Sequence, residues 1–331
     1  MLNEALKKVM AGGVLTETES AAMVEALANG ENTIAAAGLL TALALRGESV
    51  SEMTGAAGFL RDRMLGVDAG DCADIVGTGG DGGRSFNIST TASFVAAGAG
   101  VRMAKHGNRA VSGKCGAADV LEELGMKLND TPESLAKSID ENGIAFLFAR
   151  NLHPVMAKVA PLRRDLGIRT IFNLVGPLAN PAKAVYMVVG VYHERLVLPF
   201  AEVLRNLGVR NGFVVHSEDG LDEISSLALT HAAALSPDGI EEITIEPKKL
   251  LNDSALYEGS LAGGDKTENA RILMDILSGR DRTAKRGAVL LNAAAIICAA
   301  GLGDSIKACI PLAEHSIDSG AALDKLKRIS A

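Results

Sequence analysis

Apolar periodic runs fill the first sixty-five residues, and two of them follow capping-box signatures, Thr16-x-x-Glu19 and Ser49-x-x-Glu52. Gly12-Gly13, Gly30 and Gly47 punctuate the stretch, which is therefore predicted to be a set of short helices. Residues 34–45 are almost entirely Ala, Leu and Gly, apolar most of the way round, which predicts a helix buried on more than one side. A small helical piece cannot hide such a helix alone. Two readings stay open: contact with a second subunit, or packing as a core helix against a larger domain.

From residue 73 the pattern becomes an alternation of strand and helix. A short strand at 73–76 precedes a helix ending at Gly98, and a strand at 101–104 precedes a helix around 117–124. A helix from Pro132, a strand at 144–148 and a helix at 154–166 follow. Runs rich in β-branched residues at 184–191 and 212–215 flank a helix at 193–207. Residues 227–245 read as strand and turn, and helices run from Glu268 to the end. Such alternation predicts an α/β fold with a mostly parallel sheet covered by helices. Ligands in such folds gather at the carboxyl ends of strands, where Gly77 and Lys105 both fall.

Composition narrows the class. A chain of 331 residues holds two domains or one large α/β domain. Its net charge of −7 and pI near 5.5 argue against a general nucleic-acid binder. No uncharged apolar stretch of about eighteen residues offers a membrane span. The start, Met-Leu-Asn-Glu-Ala-Leu-Lys-Lys, lacks an apolar signal core, so a cytoplasmic location is expected. Cys72, Cys115, Cys298 and Cys309 are scattered without a C-x-x-C pair, which favours reduced thiols over disulfides or a zinc site.

The candidate chemistry lies in two neighbouring stretches. The first, Asp74-Ile-Val-Gly-Thr-Gly-Gly-Asp-Gly-Gly-Arg-Ser-Phe-Asn-Ile-Ser-Thr90, leads a strand through glycines into a helix start bearing Asn87, Ser89 and Thr90. Glycines that bring backbone close to a ligand, beside the free N–H groups of a helix N-terminus, make a phosphate or pyrophosphate cradle. The bland alternative is a tight strand-to-helix turn with no ligand. The second stretch, Lys105-His-Gly-Asn-Arg-Ala-Val-Ser-Gly113, belongs to a span with Arg102, Lys105, Arg109 and Lys114 and no acid, which asks for an anionic ligand. Neither a dinucleotide fold nor a P-loop fits. No G-x-G-x-x-G opens a first βαβ unit, and Gly113-Lys114 has Asn108 and Cys115 where a P-loop needs Gly and Ser or Thr.

Four motifs in order, Gly77-Thr-Gly-Gly-Asp81, Asn87-Ile-Ser-Thr90, Lys105-His-Gly-Asn-Arg109 and Asn173-Leu-Val-Gly-Pro-Leu178, resemble those of the anthranilate phosphoribosyltransferase family. The likeness extends to the helical start, to Gly220-Leu-Asp-Glu223 and to Asn292-Ala-Ala-Ala295, and so covers nearly the whole chain. It implies transfer of the phosphoribosyl group of phosphoribosyl pyrophosphate to anthranilate, in tryptophan biosynthesis. It also implies a small N-terminal helical domain and a large α/β domain, the nucleoside phosphorylase-like phosphoribosyltransferase fold. The helical domain would be residues 1–68 with a returning segment at about 154–178, and the α/β domain 69–153 with 179–331. Family members pair through the helical domain, so a homodimer is expected, with no nucleic-acid or membrane partner.

By the same resemblance, phosphoribosyl pyrophosphate would meet Gly77, Gly80, Asp81, Ser85, Asn87, Ile88, Ser89, Thr90 and the run Lys105, His106, Gly107, Asn108, Arg109, Ala110, Val111, Ser112, Gly113, with Ala117 beyond it. Lys105 is the expected phosphate clamp. Anthranilate would meet Gly77, Asn108, His106, His153 and Arg163, whose planar fork suits a carboxylate. Arg164 would face elsewhere. Ser89, Asp222 and Glu223 would hold Mg²⁺, two ions per subunit; read alone, Asp222-Glu223 could be a solvated acidic turn. Leaving-group departure needs charge neutralisation, and no general acid or base is assigned. Departures from the family pattern are Ala117 for a serine and Arg150 and Leu152 where Pro and Tyr are expected, which touches the acceptor pocket most. The competing readings are a pyrimidine-nucleoside phosphorylase of the same fold and a non-catalytic nucleic-acid-binding paralogue.

Overall fold

The computed structural model describes residues 1–79, 84–110 and 113–330. Four helices open the chain: α1 (Leu2–Met10), α2 (Glu17–Ala28), α3 (Thr33–Arg46) and α4 (Val50–Arg63). Both expected capping boxes form, with Glu19 and Glu52 each returning to the backbone of the cap residue. Glu52 reaches further: fully buried, it also accepts from Leu15 N and pairs with Arg46, which ties the α1–α2 and α3–α4 connections together.

The α/β part follows as β1 (Ala73–Gly77), α5 (Ile88–Gly98), β2 (Met103–Gly107), α6 (Ala117–Glu123), α7 (Pro132–Asn142) and β3 (Ile144–Phe148). Next come α8 (Ala149–Leu152), α9 (Pro154–Leu166), α10 (Ile171–Val175), β4 (Tyr186–Gly190), α11 (Val197–Asn206) and β5 (Asn211–Ser217). A hairpin, β6 (Thr230–Ser236) and β7 (Gly239–Ile245), precedes α12 (Pro247–Leu250), α13 (Lys266–Leu277), α14 (Ala284–Ala299), α15 (Ile306–Asp318) and α16 (Ala321–Ile329). Among the described residues seven strands form one sheet, ordered β3-β2-β1-β4-β5-β6-β7. The first five are parallel, and the hairpin extends the sheet antiparallel.

The sheet separates two apolar clusters. One joins Ile75, Met103, Phe146, Val188 and Val215 to α5, α13, α14 and α15. The other joins Ala104, Leu147, Met187, Val189 and Val214 on the opposite face to α1–α4 and α9–α11. The buried Arg61 of α4 fastens this second layer, donating to Leu178 O at 2.8 Å and Leu207 O at 2.7 Å, and burial brings its pKa down to about 10.

One expectation needs correction. The second strand is Met103–Gly107, not 101–104, because its register runs from Met103↔Ile144 to Gly107↔Phe148 and so follows the apolar β3 to its end. Lys105 and His106 therefore lie within the sheet rather than beyond it. The α3 helix buries Ala35, Ala36, Leu39, Leu40 and Leu43 on one face only, while Ile34 and Leu45 stand 88% and 89% exposed on the other. Within one chain, α3 is not enclosed. No helix among the described residues is long and apolar enough to cross a membrane.

Candidate active site at the carboxyl end of the sheet

Two glycines make room for an acidic turn. Gly77 and Gly190 pair directly at the ends of β1 and β4. A Cβ on Gly77 would stand 2.6 Å from Asp222 Oδ2, and one on Gly190 only 1.6 Å from Asp222 O. Bare backbone at both positions lets the turn after β5 lie across the strand ends. Asp222 Oδ2 accepts from Gly79 N at 2.7 Å, and Glu223 Oε1 accepts from Ser89 N at 3.3 Å in the first turn of α5. The helix N-terminus, anticipated as an anion cradle, thus already meets a carboxylate of the protein, as its partial positive charge favours.

Both acids are buried, and burial together with Asp222 pushes the Glu223 carboxyl up to about 8, against the pull of Lys105 and the Ser89 hydrogen bonds. Two adjacent carboxylates that resist joint ionisation, beside a hydroxyl, are a hard-oxygen set suited to Mg²⁺. Among the described residues no group of three or more His, Cys, Asp or Glu is disposed to hold a metal by itself.

The basic block is less open than its sequence suggests. Lys105 is buried, and its Nζ donates to His106 O at 2.7 Å. Burial lowers its pKa, while Asp74 and Glu223 act in the opposite direction. Arg102 pairs with Asp140 of α7 at 2.7 Å, and Arg109 pairs with Asp119 and Glu122 of α6. The acids missing from the linear span are supplied by later helices, and Lys114 alone of the four stays exposed without a hydrogen bond or ion pair to a described residue.

Other expected phosphoribosyl contacts divide by position. Ile88 and Thr90 are both buried. Ser85 bridges to Ala262, and Asn87 is clamped: its Oδ1 accepts from Asn269 Nδ2 at 3.0 Å and its Nδ2 donates to Cys115 O at 3.4 Å. Asp119 Oδ2 takes the N–H groups of Ala110 and Gly116. Ala117 packs close to Gly107 at the head of α6. Gly80, Asp81, Val111 and Ser112 lie outside the described residues.

On the acceptor side, His106 and His153 face each other with Nε2 atoms 3.2 Å apart. Burial holds His106 well below the usual imidazole range and brings His153 down to about 4. Arg163 is half-buried, its guanidinium 5.8 Å from the Phe172 ring, with no hydrogen bond to a described residue. Loss of solvent lowers its pKa. Arg164 is exposed on another face, as expected. His153 caps the N-terminus of α9, and Arg163 lies in its last turn. No hydrogen bond joins Arg163 to Asn108, whose own carbonyl accepts from Ala118 N. Of the departures on the acceptor side, Leu152 is buried and Arg150 is exposed.

Three contributors were not foreseen. Arg169 donates to Gly79 O at 3.0 Å and lies 4.7 Å over the Tyr192 ring; a cation just after the helix stop at Gly167 was its only signal. Asp74 accepts from His106 N at 3.1 Å and from Asn180 Nδ2 at 2.7 Å. Asn269 holds Asn87, a contact across 182 residues of chain that no local pattern announces.

Residues 69–323 match the glycosyl transferase family a/b domain, and residues 3–64 match that family's helical bundle domain. The anthranilate phosphoribosyltransferase of Thermomicrobium roseum is 46% identical over 336 residues, covering 99% of this chain and 96% of its own. The crystal structure of that enzyme from Thermus thermophilus superposes with a TM-score of 0.90 at 42% identity, covering 98% of both chains. The enzyme from Saccharomyces cerevisiae, in complex with phosphoribosyl pyrophosphate and Mg, gives 0.89 at 30% identity over 99% of this chain and 96% of its own. With its helical bundle, its mostly parallel sheet and its acidic turn over paired glycines, the chain belongs to the anthranilate phosphoribosyltransferase family.

Proposed function

We propose that the protein transfers the phosphoribosyl group of 5-phosphoribosyl 1-pyrophosphate to the amine of anthranilate. The ribose C1–oxygen bond to pyrophosphate breaks, a C1–nitrogen bond forms, and the amine gives up a proton. The observation that carries this reading is the Asp222-Glu223 turn held against Gly77, Gly79 and the α5 N-terminus at the carboxyl end of the sheet. Ser89, Asp222 and Glu223 would hold Mg²⁺, which supplies charge neutralisation for the departing pyrophosphate. The backbone around Gly77, Asn87 and 105–113 orients the phosphates, and the buried Lys105 adds positive potential beneath them. Arg163, a half-buried cation without a hydrogen-bonded partner among the described residues, suits the anthranilate carboxylate. The neutral aniline nitrogen needs no base to attack a C1 with oxocarbenium character, so positioning carries that step.

The same reading divides the chain into a helical domain of residues 1–68 with 154–178 and an α/β domain of 69–153 with 179–331. Support comes from α9 and α10, which pack on α2, α3 and α4. The bare apolar face of α3 is the surface we assign to a second copy of the chain.

The test follows anthranilate fluorescence on mixing with phosphoribosyl pyrophosphate and Mg²⁺. Signal loss that requires Mg²⁺ and disappears in Asp222→Ala is expected. An unchanged signal with the wild-type chain would overturn the assignment. In Arg163→Ala the KM for anthranilate should rise at least tenfold while that for phosphoribosyl pyrophosphate stays within twofold.

A further inference from the structure

A buried asparagine far along the chain governs the acidic turn. Asn292 lies in the middle of α14, fully buried among Ala, Leu and Ile. Asparagine is a poor residue for a helix interior, and a buried amide is costly unless its hydrogen bonds are made. Here they are made to one residue of the turn. Asn292 Oδ1 accepts from Ile224 N at 3.1 Å, and Nδ2 donates to Ile224 O at 2.8 Å, with a further bond to Ala288 O at 2.9 Å. The side chain thus pairs with both backbone groups of Ile224, as a neighbouring strand would.

The turn is fixed from two other directions. Ser217 Oγ donates to Glu223 O at 2.7 Å and accepts from Ser225 N at 3.1 Å. Gly190 abuts the backbone of Asp222 from below. A loosely held turn would let these two consecutive side chains splay apart. Backbone contacts on three sides prevent it.

From this we infer that Asn292 is a positioning residue, which holds Asp222 and Glu223 at the spacing a divalent cation requires by clamping the Ile224 peptide groups, with Ser217 as the second half of the clamp. The inference rests on the metal reading given above. Partners that orient metal-binding carboxylates typically change affinity by about 10–100-fold when removed.

The experiment measures Mn²⁺ uptake from the electron paramagnetic resonance signal of the free ion, with phosphoribosyl pyrophosphate present and no anthranilate. Asn292→Ala and Ser217→Ala are compared with the wild-type chain and with Asp222→Ala. About a tenfold weaker Mn²⁺ affinity is expected in Asn292→Ala, and a smaller loss in Ser217→Ala. The KM for anthranilate should stay within twofold in both. If Asn292→Ala does not fold, Ser217→Ala carries the test. Folded variants that bind Mn²⁺ like the wild type, with only a lowered Tm, would reduce Asn292 to packing and overturn the inference. A wild-type chain that retains no more Mn²⁺ than Asp222→Ala would overturn the metal reading itself, and the inference with it.

Discussion

The buried histidines carry the clearest electrostatic signature at the scale of single residues. With Nε2 atoms 3.2 Å apart, His106 and His153 are compatible as one donor and one acceptor, and incompatible as two cations. His153 is held down to about 4 by burial, whereas an unfolded histidine titrates near 6.5. Below pH 6.5 the unfolded chain takes up a proton that the folded chain refuses. The contribution is therefore complete above about 6.5 and is lost as pH falls towards 4. Urea midpoints at pH 7, 5.5 and 4.5 should fall more steeply for the wild type than for His153→Asn; parallel curves would contradict this. The sequence singles out both histidines, His106 within a motif, but not as a pair, because 47 residues separate them. Asn292 shows the same limit. Its motif is legible, yet its purpose depends on Ile224, which only the fold brings beside it.

At the scale of elements, strand ends and the turns laid over them do most to define the site. Gly190→Ala would drive a Cβ into the Asp222 carbonyl, where only backbone could yield. Overpacking of this kind costs roughly 1–3 kcal/mol or more, and the loss should appear as a lowered urea midpoint together with lost Mn²⁺ uptake. Arg169 links the segment after α9 to Gly79, whose N–H is held by Asp222. Arg169→Ala should raise the KM for phosphoribosyl pyrophosphate several-fold with little change in Tm. Arg169→Lys should not restore it, because stacking on Tyr192 while bonding a carbonyl needs the planar guanidinium. Sequence periodicity located β3 and α9 to the residue, since both are bounded by clear signals: an unbroken apolar run for one, Pro154 and Gly167 for the other. It misplaced β2, because Lys105 and His106 look like loop residues until the sheet is seen to bury them.

Over the whole molecule, α3 presents Ile34 and Leu45 to solvent on the face opposite its buried leucines. Sedimentation should find a dimer for the wild-type chain and a monomer for Leu45→Glu; unchanged association in that variant would exclude this face. The α/β class and parallel order were legible because alternating strand and helix leave few topologies. The layering was not, since nothing local says that α1–α4 share a core with one face of the sheet. That sharing has a consequence for modularity. Family boundaries divide the chain near residue 64, but the second apolar cluster runs uninterrupted from Leu2 through Phe172 to Val214. The bundle is therefore half of a joint rather than a cartridge. A bundle transplanted from a distant relative would bring the right fold and the wrong teeth, and a working chimaera would have to exchange Met187, Val189 and their neighbours with it.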